Sequence, residues 1–216
     1  MDLLLARQVF SPERMITYEI MSQRKDRDPV ELYLLNIQIS GAFYFPLHVC
    51  EVVLRNAADQ ALCHTHTNDW HMNKGFQISL IEESRNKLLK SISNKSNNGS
   101  VTKGDVIANL TLGFWVNLLA PKYNNMWTST FYNCFKGYKT AIPTSKNPLN
   151  AQNKVFKKLT KVQKFRNRIA HYEPIINLNL ANEYKRMMEI ISYIDPKVAA
   201  WVETEQNVMN LIATLA

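Results

Sequence analysis

Three N-cap and proline pairs fix where helices begin in this chain: Ser11-Pro12, Asp28-Pro29 and Asp195-Pro196. A serine or aspartate side chain accepts hydrogen bonds from the open N–H groups of a first helical turn, and proline at the first position lacks that N–H. The pairs predict helices over residues 12–25, 30–62 and 196–215. In the long second segment, Pro46 is expected to kink or split the helix.

Apolar residues recur every three or four positions through most of the remaining chain, which is the helical period. This spacing predicts further helices over residues 76–92, 106–120, 127–139, 153–171 and 180–194. Thr102 and Asp105 have the spacing of a capping box. Residues 64–75, 91–100 and 141–148 are predicted loops. Repeats and strand patterns are missing from the sequence, so we predict an all-α domain of roughly seven or eight helices spanning residues 1–216.

Cysteine usage and apolar stretches bear on the compartment. The longest apolar stretch, residues 41–54, is interrupted by a proline, a histidine and a glutamate, so it is expected to be too short and too polar for a bilayer. The N-terminus lacks the pattern of a signal peptide. We therefore expect a cytoplasmic protein that does not enter a membrane. Three cysteines without CxxC spacing fit a reducing compartment: Cys50, Cys63 and Cys134.

Charge is distributed unevenly along the chain. The formal net charge is +8, yet residues 106–172 contain no Asp or Glu and eleven Lys or Arg, so the remainder is net acidic. Such asymmetry indicates a polyanionic partner, most often nucleic acid. A solvated lysine face is the alternative. The basic residues are Lys122, Lys136, Lys139, Lys146, Lys154, Lys157, Lys158, Lys161, Lys164, Arg166 and Arg168.

An R-x4-H motif, Arg166 to His171, closes this basic run. At about 100° per residue, Arg166 falls inside the apolar stripe of its helix, between Val162 and Ile169. A guanidinium on a buried face needs a phosphate, a second subunit or a carboxylate. An internal ion pair, for example with Glu51, is the alternative to a ligand role.

His171 lies roughly 140° from Arg166 around an unbroken helix. Two solutions would bring the side chains together. Either the helix unwinds before His171, which the nearby Pro174 favours, or a second copy of the chain completes the site across a two-fold axis.

The residue types suit RNA cleavage. RNA carries its own nucleophile, the 2′-OH, and a histidine can remove that proton or protonate the leaving 5′-oxygen near neutral pH. An arginine can stabilise the charge on the phosphorane. Neither a metal nor a cofactor is required. One grouping resembles a metal site, Cys63, His64 and His66 with His71 nearby, but its spacing fits no standard zinc motif.

Residues 166–174 read Arg-Asn-Arg-Ile-Ala-His-Tyr-Glu-Pro, and this pattern resembles the HEPN superfamily, specifically the Abi-like group linked to abortive phage infection. Residues 32–36 followed by 51–56, and residues 112–119, look like segments of the same group. The resemblance covers about residues 18–174. It implies a HEPN-type helical bundle with extra N- and C-terminal helices, a motif core at about 30–175 and C-terminal helices at 178–216.

The resemblance also implies function. It indicates a metal-independent endoribonuclease of a phage-defence or toxin–antitoxin system, a homodimer with a composite cleft, and a possible antitoxin or regulatory RNA as partner. Relatives often have a second histidine where this chain has Tyr172, so His171 is the one histidine expected to be catalytic. The implied catalytic residues are Arg166, His171 and Asn167, with Glu51, Arg55, Asn56, Tyr172 and Glu173 in support.

Several assignments have open alternatives. Glu51 and Arg55 are spaced for a helical ion pair, which would be structural, or Glu51 orients an arginine in the cleft. Phe114 and Trp115 are expected in the core. A non-catalytic HEPN dimer that binds RNA or protein is the second hypothesis, and a helical DNA-binding regulator is the third. The residues expected to contact RNA phosphates are Arg168, Lys154, Lys157, Lys158, Lys161 and Lys164.

Overall fold

A computed structural model describes residues 1–93 and 101–215, and within these ranges every regular element is helical. The predicted all-α fold is confirmed. Two short 3-10 turns lie at Trp70–Met72 and Pro121–Tyr123. The α-helices of the described ranges are α1 (Leu3–Phe10), α2 (Pro12–Lys25), α3 (Pro29–His66), α4 (Lys74–Ser79), α5 (Glu82–Ser93), α6 (Lys103–Asn109), α7 (Leu112–Asn117), α8 (Asn124–Cys134), α9 (Tyr138–Ala141), α10 (Pro148–Ala170), α11 (Leu180–Ile194), α12 (Pro196–Glu205) and α13 (Val208–Ala213).

The cap and proline pairs begin helices where the sequence predicted. Ser11 accepts a hydrogen bond from the first turn of α2, and the aspartates of the other two pairs do the same for α3 and α12. The capping box begins α6. A fourth pair, Asn147-Pro148, begins α10 earlier than the predicted residue 153. Local hydrogen bonding at helix starts therefore carries much of the fold.

The predicted number of helices was too low, mainly because four predicted helices are each divided in two. Leu80 and Leu110 mark two of the breaks, with extended backbones and buried side chains. A leucine that leaves helical geometry to fill the core gives no glycine or proline signal. Of the predicted loop 91–100, residues 91–93 belong to α5, and the rest lies outside the described residues. The divided helices are residues 76–92, 106–120, 127–139 and 196–215.

The long helix α3 runs through the core and packs against α2, α7, α8, α11 and α13. Pro46 is buried within it and does not split it, so the predicted split is wrong. Packing on several sides holds the helix across the one N–H that proline removes. Phe114 and Trp115 of α7 are fully buried beside it, as predicted.

Length and composition would also allow α3 to cross a membrane, since one 18-residue window reaches a mean hydropathy of 1.4. The argument that residues 41–54 are too short for a bilayer is therefore wrong, because the helix extends well beyond both ends of that stretch. The core helix of a soluble protein has the same properties, and α3 is packed by other helices. A non-membrane, cytoplasmic location stays a prediction.

Helix α10 carries the R-x4-H motif and packs against α7, α8 and α11. Its C-terminal end is held on α3 by an edge-to-face contact of Phe165 with Phe43, with ring centroids 4.7 Å apart. The buried side chains form one hydrophobic cluster that includes residues of α3, α10 and α11. This packing fixes the position of residues 166–171 on the surface of the bundle.

Candidate functional site

The motif lies at the end of an unbroken helix. α10 continues to Ala170, and the backbone N–H of His171 still donates to Asn167 O across 2.9 Å. The helix therefore does not unwind before His171, and that predicted solution is wrong. Arg166 and His171 stay about 140° apart around the helix axis. A single chain does not direct these two side chains to one point.

Arg166 is exposed, which corrects the prediction that it lies on a buried face. The buried stripe of α10 rotates along the helix: Leu159 lies about 60° to one side of Val162, and Phe165 lies about 60° to the other. Arg166 projects on the same side as Leu159, but at this end of α10 the buried stripe has shifted to the side of Phe165. Within the described residues its guanidinium makes no hydrogen bond or ion pair, so the predicted internal pair with Glu51 is not formed.

The position of the N-terminal end of α7 also explains why Arg166 is exposed. Gly113 packs closely on α10, since a methyl group at this position would lie 2.8 Å from Gln163 Nε2. α7 begins at Leu112, and Arg166 lies almost one turn beyond Gln163 on α10. The guanidinium thus extends past the helix that covers this side of α10.

Asn167 does share a face with His171. Both are exposed, and a spacing of four residues places them about 40° apart, on consecutive turns. Of the three predicted catalytic residues, the structure brings these two together and leaves Arg166 on another side of the helix.

A tight turn follows His171. The N–H of Glu173 donates to Arg168 O at 2.9 Å, and the N–H of Tyr172 donates to Ile169 O at 3.0 Å. This is the hydrogen-bond pattern of a Schellman motif, in which glycine usually occupies the left-handed position. Here Tyr172 occupies it, with a φ of 57° and a side chain 75% exposed. A strained residue with an exposed ring beside a candidate catalytic histidine suggests a role for the ring.

Side chains from three helices hold this turn. Arg168 donates to Pro174 O at 2.8 Å, and its Nε lies 3.3 Å from Glu173 Oε2, an ion-pair distance without hydrogen-bond alignment. Arg14 of α2 donates to Tyr172 O at 2.7 Å. Asn36 of α3 accepts from the backbone N–H groups of residues 175 and 176, at 2.8 and 3.3 Å. The backbone that carries His171 is therefore fixed by the scaffold.

These contacts change the reading of two predicted residues. Arg168 was predicted to contact RNA, but its guanidinium is partly committed to the turn. Glu173, predicted in a supporting role, forms an ion pair with Arg168 within the turn that follows His171. Because Arg168 contacts both Glu173 and Pro174, the Glu-Pro part of the motif has a structural role in the turn.

Replacing Tyr172 with glycine is expected to stabilise the protein by about 1 kcal/mol, because glycine adopts the left-handed conformation without the steric cost. Tyr172→Ala removes the same ring but keeps that cost, so its free energy of unfolding should stay within about 0.5 kcal/mol of wild type. Urea unfolding of the three proteins measures the difference. A Tyr172→Gly protein less stable than Tyr172→Ala would contradict the assigned strain.

Four lysines form a track along α10 that leads to His171. Lys154, Lys157, Lys161 and Lys164 are exposed at spacings of three and four residues, and none has an ion pair within the described residues. His171 lies within about 80° of Lys161 on the same side of the helix. We name Lys154, Lys157, Lys161 and Lys164 the lysine track.

Lys158 is a correction to the predicted set. It is half-buried and pairs with Glu189 of α11, so its charge is neutralised inside the fold. Residues 106–172 contain no Asp or Glu, but the fold brings the carboxylate of Glu189, which lies outside this run on α11, next to Lys158.

The predicted residues of α3 are not brought to the motif. Glu51, Arg55 and Asn56 lie seven to twelve residues beyond Tyr44, which borders the turn, and thus roughly 10–18 Å along the helix axis. Asn56 lines a separate cleft with Lys136. The predicted Glu51–Arg55 ion pair is not formed in the described part of the chain.

A cavity of about 430 Å³ adjoins the turn and was not predicted. Asn36 was the one signal for it, because a lone amide stands in the apolar stripe of α3 and is 4% exposed. The residues that line it include Arg14, Tyr33, Asn36, Gly41, Tyr44 and Tyr172.

The cysteine and histidine groups offer little chemistry. Burial, with Glu51 adding to it, raises the pKa of Cys50 to about 12, so this thiol is protonated at neutral pH. Cys63 contacts Lys103 Nζ at 3.1 Å in a polar cluster that links α3 to α6. Within residues 1–93 and 101–215, no group of three or more His, Cys, Asp or Glu side chains is placed to hold a metal ion.

Comparison with protein-family models, with curated proteins and with solved structures finds no match for this chain.

Proposed function

We propose that this chain is a HEPN-type, metal-independent endoribonuclease that cleaves single-stranded RNA at a composite cleft between two copies. The observation that carries the proposal is the position of His171: exposed, held on a rigid turn, and at the end of the lysine track. Cationic side chains about one helical turn apart suit a phosphate backbone. They would direct that backbone to a proton-transfer group.

The reaction needs only groups that RNA and this chain supply. The 2′-oxygen attacks the adjacent phosphorus, the bond from phosphorus to the 5′-oxygen breaks, and the products are a 2′,3′-cyclic phosphate and a 5′-hydroxyl. His171 of one copy takes the 2′-OH proton, and His171 of the other protonates the 5′-oxygen. Arg166 stabilises the added negative charge of the phosphorane.

Helix geometry supports a second copy in the site. Because Arg166 and His171 are about 140° apart on an unbroken α10, an Arg166 that reaches the reacting phosphate comes from the facing copy. Exposed apolar side chains on α2 and α3, the helices that hold the turn, support such a contact: Ile16, Ile20 and Ile37 are each about half exposed. A surface of this kind is costly to leave in water.

The biological setting follows from the resemblance at residues 166–174. We propose a cytoplasmic nuclease of a phage-defence or toxin–antitoxin system, held inactive by a cognate antitoxin or regulatory RNA. The lysine track is the surface on which an inhibitory RNA would compete with substrate.

The test is cleavage of a single-stranded RNA by the purified wild-type protein in EDTA. We expect fragments that end in 2′,3′-cyclic phosphate and 5′-hydroxyl groups, identified by mass spectrometry. A matched oligonucleotide with one 2′-deoxy nucleotide at a cleavage position should stay intact at that position, because the nucleophile is missing there. Strict dependence on a divalent metal would contradict the mechanism, and binding without cleavage would favour the non-catalytic dimer.

A further inference from the structure

The cavity beside the turn has the features of a small-molecule subsite. Its volume of about 430 Å³ lies in the range of ligand pockets. Tyr172, the residue after His171, is one of its walls, whereas His171 itself does not line it. Its other walls come from α2, α3 and Ile169 of α10. Helices α2 and α3 also hold the turn, through Arg14 and Asn36.

Asn36 brings an unused hydrogen-bond donor to this cavity. Its side chain is only 4% exposed, and its oxygen accepts from two backbone N–H groups, which fixes the orientation of the amide. The amide nitrogen makes no hydrogen bond within the described residues, yet the side chain lines the cavity. This nitrogen is not among the fully buried unpaired atoms, so it is accessible from the cavity and can donate to a ligand or to water.

Aromatic rings provide the rest of the lining. Tyr44 is 54% exposed and Tyr172 is 75% exposed, and both border the cavity together with Tyr33. Exposed aromatic rings that surround a polar donor match a nucleobase, which has two π faces and acceptor atoms on its edge. Arg14 adds a positive charge to the same wall, as suits the phosphate of that nucleotide.

We infer that this cavity binds the base of one nucleotide of the bound RNA, which stacks on Tyr44 or Tyr172 while Asn36 donates to its acceptor edge. This inference rests on the proposed RNA cleavage at His171 for its substrate. It adds a base-specific contact to the backbone contacts of the lysine track, and it makes cleavage depend on the nucleobase.

Gly41 allows the cavity to be blocked without harm to the fold. It lies on α3 at the cavity wall, and a side-chain carbon added there meets no atom within 4 Å. Gly41→Leu therefore places a side chain in the cavity and replaces glycine by a strong helix former. Its thermal midpoint should not fall below that of wild type. Gly104→Leu is the matched control, since Gly104 is exposed on α6, away from the turn.

The experiment measures binding of a 2′-O-methyl RNA, which cannot be cleaved, and of a set of copies with one abasic position each. For wild type and Gly104→Leu, one abasic position should weaken binding about tenfold, the size expected of a single stacked base. For Gly41→Leu, the intact RNA should bind about tenfold more weakly, and that abasic position should have no further effect.

Equal binding of all abasic copies by wild type would overturn the inference, and so would base dependence that survives in Gly41→Leu. Cleavage of unmodified RNA is measured in parallel. Cleavage without base dependence removes the base pocket and leaves the nuclease, whereas base-dependent binding without cleavage removes the nuclease and leaves the pocket.

Discussion

His171→Ala is expected to lower the rate of RNA cleavage by about two to four orders of magnitude, the usual contribution of a positioned general acid or base. The fold should not change. The His171 side chain is exposed and makes no hydrogen bond within the described residues, and only its backbone caps α10. Single-turnover cleavage with the protein in saturating excess over RNA measures the chemical step, and circular dichroism with thermal unfolding checks the fold.

His64→Ala is the matched control for this substitution. His64 is also an exposed histidine at the C-terminal end of a helix, but it lies in the last turn of α3. The His64→Ala protein should cleave RNA at the wild-type rate. If His171→Ala retained that rate as well, the catalytic assignment would be wrong. If it lost RNA binding to the same extent as cleavage, His171 would be a binding residue and not a proton-transfer group.

Helix starts could be predicted from the sequence because their chemistry is local. A capping oxygen and a proline act within one turn, and such pairs begin α2, α3 and α12 at the predicted positions. Helix breaks could not be predicted equally well. At Leu80 and Leu110 the backbone leaves the helix so that the side chain enters the core, and this depends on what packs there.

The site was predicted in part for the same reason. The motif, its helix and the angle between Arg166 and His171 follow from the sequence and helical geometry. The exposure of Arg166 does not, because the buried stripe of α10 rotates between Leu159 and Phe165 and α7 begins close to Gln163. The partner of Lys158 comes from α11, which no local pattern places opposite α10.

Contacts between segments distant in sequence could not be predicted from local patterns. Asn36 was noticed only as part of a family-like segment, yet it holds the backbone after the motif from a position more than a hundred residues away. The same packing creates the cavity beside Tyr172. A lone polar residue in an apolar stripe is a usable signal for such a contact, although it does not name the partner.

Mixing wild-type chains with His171→Ala chains is expected to remove most of the RNA-cleavage activity. If one cleft needs the histidine of both copies, a mixed dimer is inactive. After subunit exchange, a ninefold excess of His171→Ala should remove about nine-tenths of the activity of a fixed amount of wild type, because about one wild-type chain in ten then has a wild-type partner. Initial rates at saturating RNA measure this, so that sequestration of RNA by the inactive chains does not contribute.

The same excess of His171→Ala, added immediately before the assay, is the control for competition, since no exchange has taken place and the rate should be unchanged. A rate that stays constant after full exchange would show that one His171 is sufficient for each cleft, which would contradict the two-histidine mechanism. If each chain also cleaved without a partner, its Arg166 and His171 would have to reach one phosphate from sides of α10 about 140° apart. The unbroken helix and the hydrogen bond from His171 N–H to Asn167 O oppose that geometry, so the loss of activity on mixing is the result that the structure favours.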